Sequence, residues 1–247
     1  MKRLWRIVLV VVTVIVCLWL FPSSRAFIAN ALFSVALTPS MGSVVGWGFE
    51  HFSPALPVER VLLTGKTIAF HHPRPTWKRH ILIIPRKQIG TIFDLLNDRV
   101  YLEDIWRTAY EVFSGQAFTP ERYALLVNGG LRQDVKQVHF HLNGEKEYAP
   151  AFTEIVENSL IIQTNDFDVY QLTETPLHLV LVPRQSVAPL SRWQEVDIQQ
   201  LSQLELPLLE LEQIYNLSSR GFSLILQEAS ELEREQLIFH LTAGSLE

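Results

Sequence analysis

The chain repeats itself, and that fact limits its fold more than any single motif. His80-Ile81-Leu82-Ile83-Ile84-Pro85-Arg86 returns as His178-Leu179-Val180-Leu181-Val182-Pro183-Arg184, 98 residues on. Tyr123-Ala124-Leu125-Leu126-Val127-Asn128 returns as Phe222-Ser223-Leu224-Ile225-Leu226-Gln227, 99 residues on. Gln137-Val138-His139-Phe140-His141-Leu142 returns as Gln236-Leu237-Ile238-Phe239-His240-Leu241, again 99 residues on. Three patterns at nearly one spacing imply two copies of one supersecondary unit. Each copy reads as strand, strand, helix, strand, strand. In the first, Ile89, Ile92, Phe93, Leu96, Val100, Ile105, Ala109 and Phe113 mostly keep helical spacing, with Asn97-Asp98 as a break. In the second, Ile198, Leu201, Leu204, Leu208, Leu211 and Ile214 do the same, and Pro207 marks a helix start or kink. The charged turn near Gly144–Ala151 is the expected linker.

The first copy carries the chemistry. Strand alternation puts Gln137, His139 and His141 on one face and Val138, Phe140 and Leu142 on the other. One face then offers two imidazoles to a pocket while the other feeds a core. A neutral imidazole can attack a phosphorus centre, and a second can manage protons or charge near pH 7. Two satisfied histidines on a half-buried strand are the plainer alternative.

The ordered set of motifs favours chemistry. It comprises Ala69-Phe70-His71-His72, His80-Ile81-Leu82-Ile83-Ile84-Pro85-Arg86-Lys87, Leu126-Val127-Asn128-Gly129-Gly130 and Gln133-Asp134-Val135-Lys136-Gln137-Val138-His139-Phe140-His141. This set resembles the histidine triad (HIT) family of nucleotide hydrolases and transferases, over roughly residues 49–145. The resemblance implies an α+β fold: a HIT-like antiparallel sheet with helices, duplicated in one chain as a pseudo-dimer; separately from it, the N-terminal residues add an N-terminal membrane helix. It implies that His139 is the nucleophile and passes through a nucleotidyl-histidine intermediate. It further implies that His141 stabilises phosphoryl oxygens, that His80 contacts phosphate, and that Asn128 and Gln133 line the ribose and phosphate site. Gln137 takes the first triad position and His72 the position that usually holds the ribose. The substrate so implied is a nucleotide or nucleotide-linked compound, with no cofactor and no metal.

Four departures stand against that pattern. Gln137 can hydrogen-bond but not titrate. Asp134 replaces a serine or threonine and would repel phosphate unless it points away or pairs with Arg132 or Lys136. His72 replaces an acidic residue, and the loop from Asn128 to His139 is about two residues short. In the second copy, Ile238 occupies the nucleophile position, so that half is expected to be non-catalytic, with His178 and His240 as relics or core-edge residues. A degenerate nucleotide- or protein-binding module and a pyrophosphatase of a nucleotide-activated lipid therefore stand as alternatives.

Composition enters at the N-terminus and in the overall charge. Three cations in Met1–Arg6 precede fifteen residues, Ile7 to Phe21, without a charge. That polarity is that of a signal anchor or signal peptide, with the globular part outside the cytoplasm. A single-pass anchor is favoured, while small-x-small sites ending at Ala26 and Ala31 leave cleavage open. The expected organisation is a signal anchor or peptide over 1–24 and a linker or amphipathic segment over 25–48. A HIT-like domain over 49–147 and a degenerate repeat over 148–247 follow. A net charge of −5 gives no basic footprint, so no nucleic-acid partner is indicated. The single cysteine, Cys17, excludes an internal disulfide and a cysteine-based zinc site.

Overall fold

The computed structural model describes residues 34, 42–116, 118, 123–144, 159–174, 176–229 and 236–244. The N-terminal apolar run and the linker expected at 144–151 lie almost wholly outside them. Among the described residues no helix is long and apolar enough to cross a membrane. The expected membrane helix belongs to the part not described.

One sheet of ten strands organises the chain, in the order β1-β2-β3-β5-β4-β9-β10-β8-β7-β6. The first unit contributes β1 (Arg60–Leu63), β2 (Thr67–His71), β3 (Arg79–Pro85), β4 (Tyr123–Gly129) and β5 (Phe140–Gly144). The second contributes β6 (Leu160–Gln163), β7 (Phe167–Glu174), β8 (Leu177–Pro183), β9 (Phe222–Ala229) and β10 (Gln236–Ala243). All strand pairings among the described residues are antiparallel, and the order is a palindrome about the β4–β9 contact. There Leu126 faces Ile225, and these are equivalent residues of the two copies. A pseudo-two-fold axis therefore passes through that pair. Even irregularities recur: the register slips between Arg60 and Leu62 in β1 and between Leu160 and Ile162 in β6.

Each unit thus has three strands before its helices, one more than the repeat pattern suggests. The extra strands are four residues long, partly exposed and bulged, too short for alternation to declare them. The helical stretch of the first unit divides where Asn97-Asp98 interrupts it, into α2 (Ile92–Leu96) and α3 (Arg99–Gly115). A capping box starts α2, with Thr91 and Asp94 satisfying each other's backbone amides. On α3, Leu102, Ile105, Trp106, Ala109, Val112 and Phe113 form one buried stripe. The second unit answers with α4 (Glu195–Leu201), α5 (Glu205–Tyr215) and α6 (Leu217–Arg220), and Pro207 lies in the first turn of α5. Proline fits there because the first-turn amides have no intrahelical partner.

These helices cover one face of the sheet and bury a core that runs through both units, from Ala69, Ile81 and Phe140 to Leu181, Phe239 and Leu241. Trp106 meets Trp193 edge-on at 6.3 Å, and Leu190 N–H donates to Tyr123 Oη at 3.1 Å. The other face carries the histidines. In the first unit it also bears Ile68, Phe70, Leu82 and Ile84, covered by Phe49 of α1 (Gly42–Phe52) and by Leu56 and Val58. With apolar contacts on both faces, β3 is buried along nearly its whole length. Helix α1 runs across the expected junction at 48/49.

Candidate functional site

Pairing registers bring the histidines together on the face opposite α3. Leu82 faces His141 across β3–β5, and Leu126 faces His141 across β4–β5. One further register step sets Asn128 across from residue 139. His72 continues from β2, its N–H donating to His80 O at 2.8 Å. Side chains 72, 80, 128, 139 and 141 therefore share one face.

His139 is half-buried, and its Nδ1 lies 2.8 Å from Gln137 O. A carbonyl oxygen only accepts, so Nδ1 carries the proton and the lone pair sits on Nε2. Burial lowers the pKa of His139, against the opposing pull of the Gln137 carbonyl and the Asp134 charge. The ring is thus a neutral base with one nitrogen held and the other left to react.

His80 Nε2 lies 2.8 Å from His141 Nδ1. Burial, reinforced by neighbouring imidazoles, depresses both: His80 to about 3, and His141 well below its ordinary value. His141 Nε2 and His80 Nδ1 are buried without a partner among the described residues. If His80 Nε2–H donates, His141 accepts at Nδ1 and presents Nε2–H to an anionic oxygen. That tautomer is the one a phosphate selects. His139 and His141 meet edge-on with centroids 4.9 Å apart.

His72 stacks on His80 at 4.1 Å and 9°, while Trp77 meets His80 edge-on at 4.7 Å. The Arg74 backbone N–H donates to His72 Nδ1 at 3.0 Å. One ring nitrogen is therefore spent, and no carboxylate is present at this position to hold two hydroxyls.

The glutamines behave differently from the histidines. Gln137 is 1% exposed, and its side-chain amide donates to Pro85 O and Lys87 O, both at 2.9 Å. Its Oε1 accepts from Ile89 N–H at 3.2 Å. All three polar bonds clamp the 85–89 turn, so this side chain is a structural tie. Gln133 Nε2 donates to Gly90 O at 2.6 Å and Val135 O at 2.7 Å, shaping the loop before His139. Asp134 is exposed.

Arg132 is one of the two cations that the sequence offers Asp134 as a partner. Instead it crosses to the second unit, donating from Nη1 to Ser223 Oγ at 3.2 Å, Thr242 O at 3.1 Å and Thr242 Oγ1 at 3.0 Å. Ser223 Oγ in turn donates to Asn128 Oδ1 at 2.7 Å. The first copy's motifs point to Asn128 but not to these two partners, whose only sequence signal is the repeat that aligns Ser223 with Ala124.

In the second unit His178 Nε2 and His240 Nδ1 lie 2.9 Å apart, the counterpart of the His80–His141 pair. Burial, with the nearby His178, lowers His240 to about 4. Ile238 is 1% exposed and packs with Val180 where the first unit has His139 and Leu82. Among the described residues no cluster of three or more histidine, cysteine, aspartate or glutamate side chains is placed to hold a metal ion.

Comparisons with known proteins agree with this geometry. Residues 54–148 match the family model of the HIT domain. An uncharacterized 13.2 kDa HIT-like protein of Azospirillum brasilense is 28% identical over 102 residues, covering 40% of this chain and 84% of that protein. Among solved structures, an ADP-glucose phosphorylase from Arabidopsis thaliana superposes with a TM-score of 0.56 at 10% identity, covering 79% of each chain. A uridylyltransferase superposes with a TM-score of 0.53 at 13% identity, covering 75% of this chain and 76% of that one. At those identities the likeness is one of fold: an antiparallel sheet with helices, built from duplicated units.

Proposed function

We propose that this chain, whose residues 54–148 match the family model of the HIT domain, is a nucleotide hydrolase or nucleotidyl transferase with His139 as its nucleophile. The hydrogen bond from His139 Nδ1 to Gln137 O, beside a His141 Nε2 that has no partner among the described residues, carries the reading. The Nε2 lone pair attacks the α-phosphorus, an N–P bond forms, and the bond to the leaving group breaks. The electron pair departs with that group, which takes its proton from solvent water. The positive charge developing on His139 is stabilised by the Gln137 carbonyl at Nδ1. His141 Nε2–H and the Asn128 amide donate to the non-bridging oxygens as their charge grows. Water or a second hydroxyl acceptor then attacks the phosphorus and gives up its proton to solvent, while the N–P pair returns to Nε2.

The experiment is a panel of nucleoside phosphoanhydrides and phosphoramidates with acid-quenched mass analysis of the protein. A nucleotidyl adduct on His139 is expected, with turnover falling roughly 10³-fold or more in His139→Ala. Turnover that survives this substitution, in a variant that still folds, overturns the reading.

A second reading, in which a lipid carries the leaving group, is favoured by one observation. Helix α1 packs on the histidine-bearing face and exposes Trp47 (51%) and Phe52 (49%). Substrate presented in liposomes should then be turned over faster than its soluble counterpart. Equal rates remove this reading. The N-terminal apolar run would tether the chain with its globular part outside the cytoplasm, which fractionation and protease protection of the full chain test.

A further inference from the structure

We propose that the second unit supplies a positioning residue to the first unit's site: Ser223, which orients Asn128 so that its amide nitrogen faces the phosphate. The proposal rests on the reading of His139 as nucleophile and goes beyond it in giving the catalytically empty copy a task.

Arginine only donates, so the bonds from Arg132 make Ser223 Oγ an acceptor. The hydroxyl hydrogen is then committed to Asn128 Oδ1 at 2.7 Å. With Oδ1 occupied, the amide of Asn128 is held with Nδ2 outward, as a donor. No other side-chain hydrogen bond of Asn128 is made among the described residues.

Pseudo-symmetry gives the control within the molecule. The pair related to Asn128–Ser223 by the axis at Leu126–Ile225 is Gln227–Ala124. Alanine has no hydroxyl, and Gln227 Oε1 is buried without a partner among the described residues. The hydroxyl is present only where it meets the amide of the half that keeps its nucleophile. The loop leading to that nucleophile is seated on the second unit as well. At Gly130, with φ 58°, an added Cβ would lie 2.5 Å from Ser218 O; at Gly221, with φ 75°, it would lie 2.9 Å from Arg132 N. Backbone meets backbone there with no room for a side chain.

The test uses the full chain and four variants: Ser223→Ala, Ser223→Thr, Asn128→Ala and the Asn128→Ala/Ser223→Ala double variant. In Ser223→Ala, kcat should fall about 3- to 10-fold, the worth of one orienting hydrogen bond, with a smaller change in KM. Ser223→Thr should restore most of it. In the Asn128→Ala background, removing Ser223 should cost nothing further, because the hydroxyl acts only through that amide. Additive losses, or a Ser223→Ala variant with wild-type kcat, overturn the proposal. The Asn128 side-chain amide signals, read by nuclear magnetic resonance on unliganded protein, give a readout free of turnover. Ser223→Ala should shift or broaden them, and unchanged signals overturn the proposal even if the chain hydrolyses nothing. Absence of turnover in the unaltered chain, with the amide shift intact, defeats the nucleophile reading and leaves the orientation standing.

Discussion

Gln137 stands where the signature usually has a histidine, and its bonding explains why the exchange does not disturb His139. Its two amide hydrogens and its carbonyl oxygen meet three backbone groups of residues 85–89. A neutral imidazole has one donor and one acceptor, so it cannot serve all three. Gln137→His should therefore lower stability without raising activity, and Gln137→Ala should cost about 2–4 kcal/mol in urea unfolding, because buried backbone groups lose their partner. A Gln137→His variant of unchanged stability and higher turnover contradicts this account. The imidazoles make a second statement. His240 in the folded chain takes a proton only near pH 4, whereas the unfolded chain takes it near 6.5. Between those values the unfolded state binds more protons, so stability falls as pH drops through that window and is fully present above it. His240→Gln should flatten the slope of unfolding free energy against pH by up to about 1.4 kcal/mol per pH unit, one proton's worth. The depressed His139 gives the matching kinetic expectation: the acid limb of kcat/KM, which reports the free enzyme, should lie below pH 6.5. A limb at or above that value contradicts a desolvated nucleophile.

Strands and helices differ in how much of themselves the sequence discloses. His80, His139, His141 and Asn128 share a face because strand geometry has period two, so their convergence can be read from spacing once the strands are placed. The break at Asn97-Asp98 is equally local, since asparagine and aspartate compete with the helical backbone for its hydrogen bonds. Ser223 is another matter: it lies 95 residues from Asn128, and only the register of β4 against β9 joins them. No local pattern encodes that register. The role of Gln133 and Gln137 is hidden for the same reason, as each has partners at the end of β3 or on the turn that follows it, more than 40 residues away. The loop between β4 and β5 carries a prediction of its own. Gly130 adopts φ 58° with Ser218 O and Leu217 O at 2.5 and 2.8 Å from where a Cβ would sit. Gly130→Ala adds both backbone strain and a clash that α6 cannot yield to, so stability should drop by about 2 kcal/mol or more. Turnover should fall with it, since the displaced loop runs on to His139. A Gly130→Ala chain with an unchanged thermal midpoint and rate would falsify the view that this loop is docked.

The two units share one sheet and one core, so neither is complete alone. In the whole chain β4 lies between β5 and β9, with Leu125 2%, Leu126 8% and Val127 1% exposed. Cutting the chain after residue 148 would turn β4 into an edge of unpaired amides and carbonyls flanked by apolar side chains, a template for another strand. The axis at Leu126–Ile225 tells which strand fits. A second copy of the first unit can pair β4 with β4 about Leu126 in the same register, producing a two-fold dimer. Residues 42–148 alone should therefore run as a dimer or larger species in light scattering, and a stable monomer contradicts the argument. Such a dimer places Ala124 where the whole chain has Ser223, opposite Asn128, and so it lacks the hydroxyl that orients the amide. Ala124→Ser in the excised unit would return that hydroxyl on both sides of the axis. Its turnover should exceed that of the unsubstituted dimer by about 3- to 10-fold, the worth of one hydrogen bond at each site. In the whole chain the same substitution should act on stability instead, by giving Gln227 Oε1 a donor that it does not have among the described residues. One substitution with a kinetic effect in the symmetric assembly and a thermodynamic effect in the asymmetric one separates orientation of Asn128 from general packing.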